Sequence, residues 1–275
     1  MRLAIAGKGG AGKTTISATV ARLSAKRGQQ VVAIDADANP NLAVALGLSP
    51  GDAAGLGPVP FELVSRRLGG AALTESLDEV LSRFALGGPD GVRLVGMGAP
   101  THAGEGCLCS AHAVVSAVLE DLGGRPDMLG VIDMEASPEH LSRGTIKHAD
   151  VLGLVAEPYY RSLETVRRMA ALAAQLSIPS VAVIANKVRS EADGEAVAEF
   201  CSRHGLAMVG VVPWSDDVLA ADRARIPLVD WGGAGDVVEA ISAVCSRLEL
   251  PGFRDAGSVV TVTNRAAGPS SQGQP

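Results

Sequence analysis

Short apolar runs recur at 3–6, 30–35, 91–97, 129–133, 151–156, 180–185 and 207–212, and in most intervals between them apolar residues return every three or four positions. A short unbroken apolar run fits a strand buried on both faces, and the 3.6-residue period that follows fits a helix covering it. The alternation predicts an α/β fold: one domain with a mostly parallel twisted sheet and helices on both faces. Thr14 to Arg27 carries the helical period clearly, with Ile16, Val20 and Leu23 on one side. Residues 49–90 break the rhythm. They open as a Gly/Pro-rich loop, continue into a helical stretch predicted from Glu62 to Phe84, and read as an insertion. Residues 251–275 are poor in large apolar side chains and read as a disordered tail, leaving residues 1–250 as the domain. No internal repeat is visible.

Composition narrows the picture. With 47% hydrophobic and 20% charged residues in 275, the chain can bury one sizeable core. A net charge of −6 without any basic block argues against a nucleic-acid surface. No apolar stretch approaches the roughly 18 residues of a membrane span, and the first residues read as a strand rather than a signal peptide, so a cytoplasmic protein is expected. Four cysteines are too few for a disulfide framework in a chain of this length, which leaves metal binding or redox chemistry for any close pair.

Gly7-Lys8-Gly9-Gly10-Ala11-Gly12-Lys13-Thr14 is a complete phosphate-binding loop, set between an apolar run ending at Ala6 and the helix opening at Thr14. Its glycines let successive backbone N–H groups turn inward around a triphosphate, Lys13 meets the charge, and the Thr14 hydroxyl suits Mg²⁺. The chain has five lysines (8, 13, 26, 147 and 187) among 24 basic residues, so a lysine marks a place where a compact ammonium is wanted. Carboxylates follow two other runs: Asp35 and Asp37 after 30–35, and Asp133 after 129–133. Strand ends beside a phosphate loop are where Mg²⁺ and an attacking water find oxygen partners, although an aspartate there can equally cap the next helix. Asn186-Lys187 and Val212-Pro213 follow further runs and are placed to frame a base. Trp214 and Trp231 suit either a core or a base-stacking role.

These residues resemble the deviant Walker A ATPases, the group that includes MinD, ParA, the nitrogenase iron protein and metal-maturation relatives, over about residues 1–250. The resemblance implies an ATP- and Mg²⁺-dependent ATPase that pairs face to face as a homodimer. By the same resemblance, Lys8 reaches the partner's phosphates, Gly9, Gly10, Ala11, Gly12, Lys13, Thr14 and Thr15 hold the nucleotide, and Thr14, Asp35 and Asp133 serve Mg²⁺. Asp37 then positions water, and Asn186 and Pro213 read adenine.

Cys107-Leu108-Cys109 supplies two thiolates one residue apart, half of a tetrahedral Zn²⁺ set, so two copies meeting at a two-fold axis would complete it for Zn²⁺ or Ni²⁺. Small residues in a helix-entry loop explain the bare dipeptide equally well. Gly104-x-Gly106-Cys107-x-Cys109, with Asp133-Met134-Glu135-Ala136 and the Arg161–Thr165 stretch after Glu157-Pro158, resembles the CooC-type maturation ATPases. That likeness implies nickel or zinc at the dimer interface and a carbon monoxide dehydrogenase-like recipient. Two departures stand out: Ala38 where proline is expected after Asp37, and Ser137 where glycine is expected. His102 and His112 flank the pair as weaker candidate ligands, while Cys201 and Cys245 read as core. An electron-transfer ATPase like the nitrogenase iron protein would need a second cysteine between Asp133 and Gly144, and that segment has none. A MinD/ParA-type positioning ATPase would need a basic terminal helix or surface; residues 251–275 offer Arg254 and Arg265.

Overall fold

In the computed structural model, which describes residues 1–67, 70–98, 109–137 and 139–249, every side chain from Leu3 to Ala6 is fully buried. The strand β1 (Arg2–Gly7) explains this, because it lies inside a sheet with a core on each face: Ala4 and Ala6 join one core, Leu3 and Ile5 the other. The remaining strands are β2 (Gln30–Ala36), β3 (Val64–Arg67), β4 (Gly70–Leu73), β5 (Leu86–Gly87), β6 (Arg93–Gly96), β7 (Met128–Met134), β8 (Val151–Ala156), β9 (Ser180–Val188) and β10 (Ala207–Pro213). Eight of them form one sheet in the order β10-β9-β8-β1-β7-β2-β6-β5. All its pairings are parallel except β5 with β6.

The helices are α1 (Lys13–Lys26), α2 (Leu42–Leu46), α3 (Pro50–Ala53), α4 (Leu77–Phe84), α5 (Cys109–Leu122), α6 (Glu139–Ser142), α7 (Tyr160–Gln175), α8 (Glu191–Arg203), α9 (Asp216–Ala224) and α10 (Gly235–Glu249). Apolar residues of α4, α5, α7 and α8 fill the first core, and those of α1, α2, α9 and α10 the second. The predicted two-sided α/β sheet is therefore the observed fold, and all seven sequence-predicted strands are present. Cys201 and Cys245 are buried, as core residues should be, and burial lifts the Cys201 thiol to about 11.

The insertion differs from its predicted form. Among the described residues, Leu77–Phe84 is the α-helical part of the expected helix and Phe61–Leu63 a 3-10 turn; between them, β3 and β4 make an antiparallel hairpin with Val64 opposite Leu73, and this hairpin packs on α5. Gly70 lies inside the predicted helix and costs a helix interior about 1 kcal/mol relative to alanine, against the apolar period read across it. Ser76 then starts α4 with a reciprocal capping box to Glu79, a terminus contributing about 1 kcal/mol. The 251–275 tail lies outside the described residues.

Candidate functional site

The loop after β1 enters α1 through Gly10 and Gly12, whose φ values of +78 and +97 lie where side-chain-bearing residues are rare. Gly12 is also sterically required, because a Cβ there would collide with the Asn186 amide. No side chain caps α1, whereas Ser76, Ser190 and Ser215 accept backbone N–H bonds at the starts of α4, α8 and α9. The first amides of α1, with the positive end of its dipole, are thus directed at an anion.

β7 lies between β1 and β2, with Asp133 in register with Ile5 on one side and Asp35 on the other. Both carboxylates are 1% exposed. Asp133 accepts the Thr14 hydroxyl at 2.6 Å and that of Ser17 at 3.1 Å, while Asp35 accepts the Leu42 amide at 2.9 Å. Burial pushes Asp133 up to about 7 and Asp35 up to about 6, each resisting ionisation further because of a neighbouring acid. Lys13 is buried and held below the usual ammonium range by that burial, against the opposing pull of Asp133, Asp37 and Glu135. Hard oxygen donors, two buried carboxyls whose charged form a cation would favour and a hydroxyl between carboxylate and phosphate loop make a donor set that fits Mg²⁺. Asp37, partly buried, accepts the Asn39 amide at 2.8 Å and so shapes its own turn.

Asn186, at the end of β9, donates to the Ala11 carbonyl at 2.6 Å. A cleft of about 450 Å³ opens beside it, lined by Gly10, Thr14, Thr15, Asn186, Pro213 and Trp214 among others. Its size suits a nucleotide-scale ligand. Trp214 faces the Arg189 guanidinium at 3.8 Å, whereas Trp231 turns its Nε1 to Asp217 at 2.9 Å. Lys8 is partly exposed, with its ammonium 5.7 Å from the centre of the Tyr159 ring.

Every sequence-predicted nucleotide residue therefore belongs to one rim of the sheet. Ser17 was missed: it stands three residues beyond Thr14, on the same helix face, and that spacing was the available signal. Lys187 was noted only as part of the rim, yet its ammonium reaches the loop itself, donating to the Gly10 carbonyl at 2.5 Å.

The cysteine pair is only partly in view. Cys107 and His102 lie outside the described residues. Cys109 is the exposed first residue of α5, is disulfide-bonded, and its Sγ accepts from Arg143 Nη1 at 3.0 Å. His112 is buried instead of flanking Cys109 at the surface, with its ring 4.5 Å from that of His140 and its Nδ1 3.1 Å from the Thr145 hydroxyl. Among the described residues, no group of three or more histidine, cysteine, aspartate or glutamate side chains converges to hold a metal ion. No described helix is long and apolar enough to cross a membrane.

Residues 3–228 match the family model described as the CobQ/CobB/MinD/ParA nucleotide binding domain. The chain is 35% identical over 239 residues to the carbon monoxide dehydrogenase accessory protein CooC of Rhodospirillum rubrum, covering 84% of this chain and 90% of that one. It is 34% identical over 243 residues to an uncharacterized ATP-binding protein of Methanocaldococcus jannaschii, with 83% and 91% covered. Its fold is similar to the septum site-determining protein MinD of Pyrococcus horikoshii complexed with Mg-ADP, with TM-score 0.67, 19% identity and coverage of 93% and 98%.

Proposed function

The chain belongs to the CobQ/CobB/MinD/ParA nucleotide-binding family and is an ATPase of that class, and from that premise we propose that it is a maturation ATPase coupling ATP hydrolysis to delivery of a metal ion. In this reading Gly9 to Thr15 cradle the phosphates with backbone amides, and the buried Lys13 ammonium meets the charge of the triphosphate. Thr14, Asp35 and Asp133 would hold Mg²⁺, which when bound neutralises phosphate charge and orients the transferred group. Asp37 positions the attacking water. Asn186 and the Pro213 segment bound the base. Lys8, lightly held at the surface, turns to the phosphates of a second copy, so that ATP closes a homodimer. Its cargo, Ni²⁺ or Zn²⁺, is bound by reduced Cys107 and Cys109 from both copies, four sulfurs in all. The recipient is a carbon monoxide dehydrogenase-like enzyme, and the site of action the cytoplasm.

The observation that carries this reading is the likeness to the carbon monoxide dehydrogenase accessory protein along 84% of this chain, joined to a Cys-x-Cys pair in the sequence whose second cysteine opens α5. Metal analysis of the reduced protein tests it. One Ni²⁺ or Zn²⁺ should bind per dimer, and Cys107→Ala with Cys109→Ala should abolish it while ATP binding persists. Metal retained by the double variant refutes the assignment.

A further inference from the structure

Lysine is scarce in this chain, and a third lysine meets the phosphate loop besides the two within it. Lys187 donates its Nζ to the Gly10 carbonyl at 2.5 Å and lies 3.3 Å from Glu157 Oε2. Its neighbour Asn186 donates to the next carbonyl, that of Ala11, at 2.6 Å. Consecutive side chains of an extended strand point to opposite faces, so two in a row should not reach one loop. Here the alternation is broken. Lys187 has φ +59, a left-handed conformation rare outside glycine, and the β10–β9 register shifts between Val211 and Pro213, opposite this point. Strain of this kind persists where the surroundings enforce it, and it clusters at functional sites.

The chemistry follows from what a phosphate loop requires. Its N–H groups must face the anion, so its carbonyls must face away, where each needs a donor. A carbonyl turned inward would repel the triphosphate. We propose that Lys187 is a positioning residue for nucleotide binding: its ammonium holds the Gly10 carbonyl out of the cradle, and Glu157, 16% exposed, orients that ammonium from β8's carboxyl end. Lys187 acts through the loop and not on the phosphates. The inference rests on the nucleotide reading of the cleft and is independent of the metal reading.

Because the loop amides hold ATP and ADP alike, losing the clamp should weaken both equally. Fluorescence titration with ATP and with ADP, in Mg²⁺ buffer, should give Lys187→Met a Kd raised about tenfold for each nucleotide, the loss expected for one charge-assisted bond. The kcat at saturating ATP should stay near that of the wild type, since bound substrate re-forms the cradle. Lys187→Arg, which keeps a charged donor, should recover part of the affinity. Glu157→Gln should act in the same direction but less, and add nothing in the Lys187→Met background. Wild-type affinity in Lys187→Met, or a loss confined to ATP, overturns the proposal; the latter would mean direct contact with the terminal phosphate. Lys13→Ala serves as control, because a wild-type protein that binds ATP no better than this variant overturns the nucleotide reading together with the proposal.

Discussion

The phosphate loop and the start of α5 both mark the entry into a helix, but one is closed by its own chain and the other leaves a disulfide-bonded cysteine exposed. Around the loop, Asn186 and Lys187 fix two carbonyls, and Asp133 ties Thr14 to Ser17. At α5, Cys109 lies exposed beside Arg143, and in the proposed reading the Cys-x-Cys pair gives one chain half of a tetrahedral set. A site completed within one subunit can bind its ligand alone. One that offers half its ligands makes binding depend on assembly, which is the property a nucleotide-driven carrier needs.

Lys13→Ala should separate the two regions most sharply. A buried ammonium facing developing phosphate charge is among the larger electrostatic contributions in a phosphoryl-transfer site, so kcat/KM for ATP should fall by about two to three orders of magnitude. The reduced cysteines should still take up metal in chemically dimerised protein. Metal uptake that collapses along with ATPase activity would show that the two sites do not act separately.

Asp133→Asn addresses the loop's own cost. Asp133 at about 7 and Asp35 at about 6 are raised above the ordinary 3.8 by burial. A raised carboxyl binds more protons folded than unfolded, so its stabilising effect is complete below about 3.8 and is lost as pH climbs through 6 to 7. Without nucleotide or Mg²⁺, wild-type Tm should therefore drop between about pH 4 and pH 7 and level off above that. The asparagine variant should show a shallower drop, a higher Tm at pH 8 and little ATPase activity. Equal pH slopes in the two proteins would count against this account of the carboxyl pair.

The sequence made the loop legible because its requirements are local: glycines at Gly10 and Gly12, an ammonium at Lys13, a hydroxyl at Thr14, and an aspartate directly after each of two apolar runs. What joins Lys187 to Gly10 or Glu157 is sheet order, with β8 beside β1 and β9 beside β8, and no spacing along the chain encodes that. Within residues 49–90 the failure was of another kind. The apolar period ran on through Gly69-Gly70, and the hairpin's stability comes from α5, a helix distant in sequence. The cysteine pair stood out as residues, yet in the proposed reading its meaning depends on a second chain, which no intrachain pattern expresses.

The smallest expected effect concerns Lys8, which shares the loop with Lys13 but not its confinement. Lys13 is buried; Lys8 lies over Tyr159 at 5.7 Å, and that tyrosine is itself 40% exposed. A cation–π contact of this exposed kind contributes about 0.5–1 kcal/mol, enough to bias where the ammonium rests and too little to hold it there. Removing the ring in Tyr159→Ala should leave ATP affinity of the single subunit unchanged and shift the ATP concentration for dimerisation, read by light scattering, about two- to fivefold lower. Tyr159→Phe keeps the ring and should dimerise as the wild type does. If both variants dimerise normally, the ring does not restrain Lys8. If the alanine variant fails to dimerise at saturating ATP, Tyr159 belongs to the contact between subunits, and the loop would then depend on a second copy as fully as the proposed metal site does.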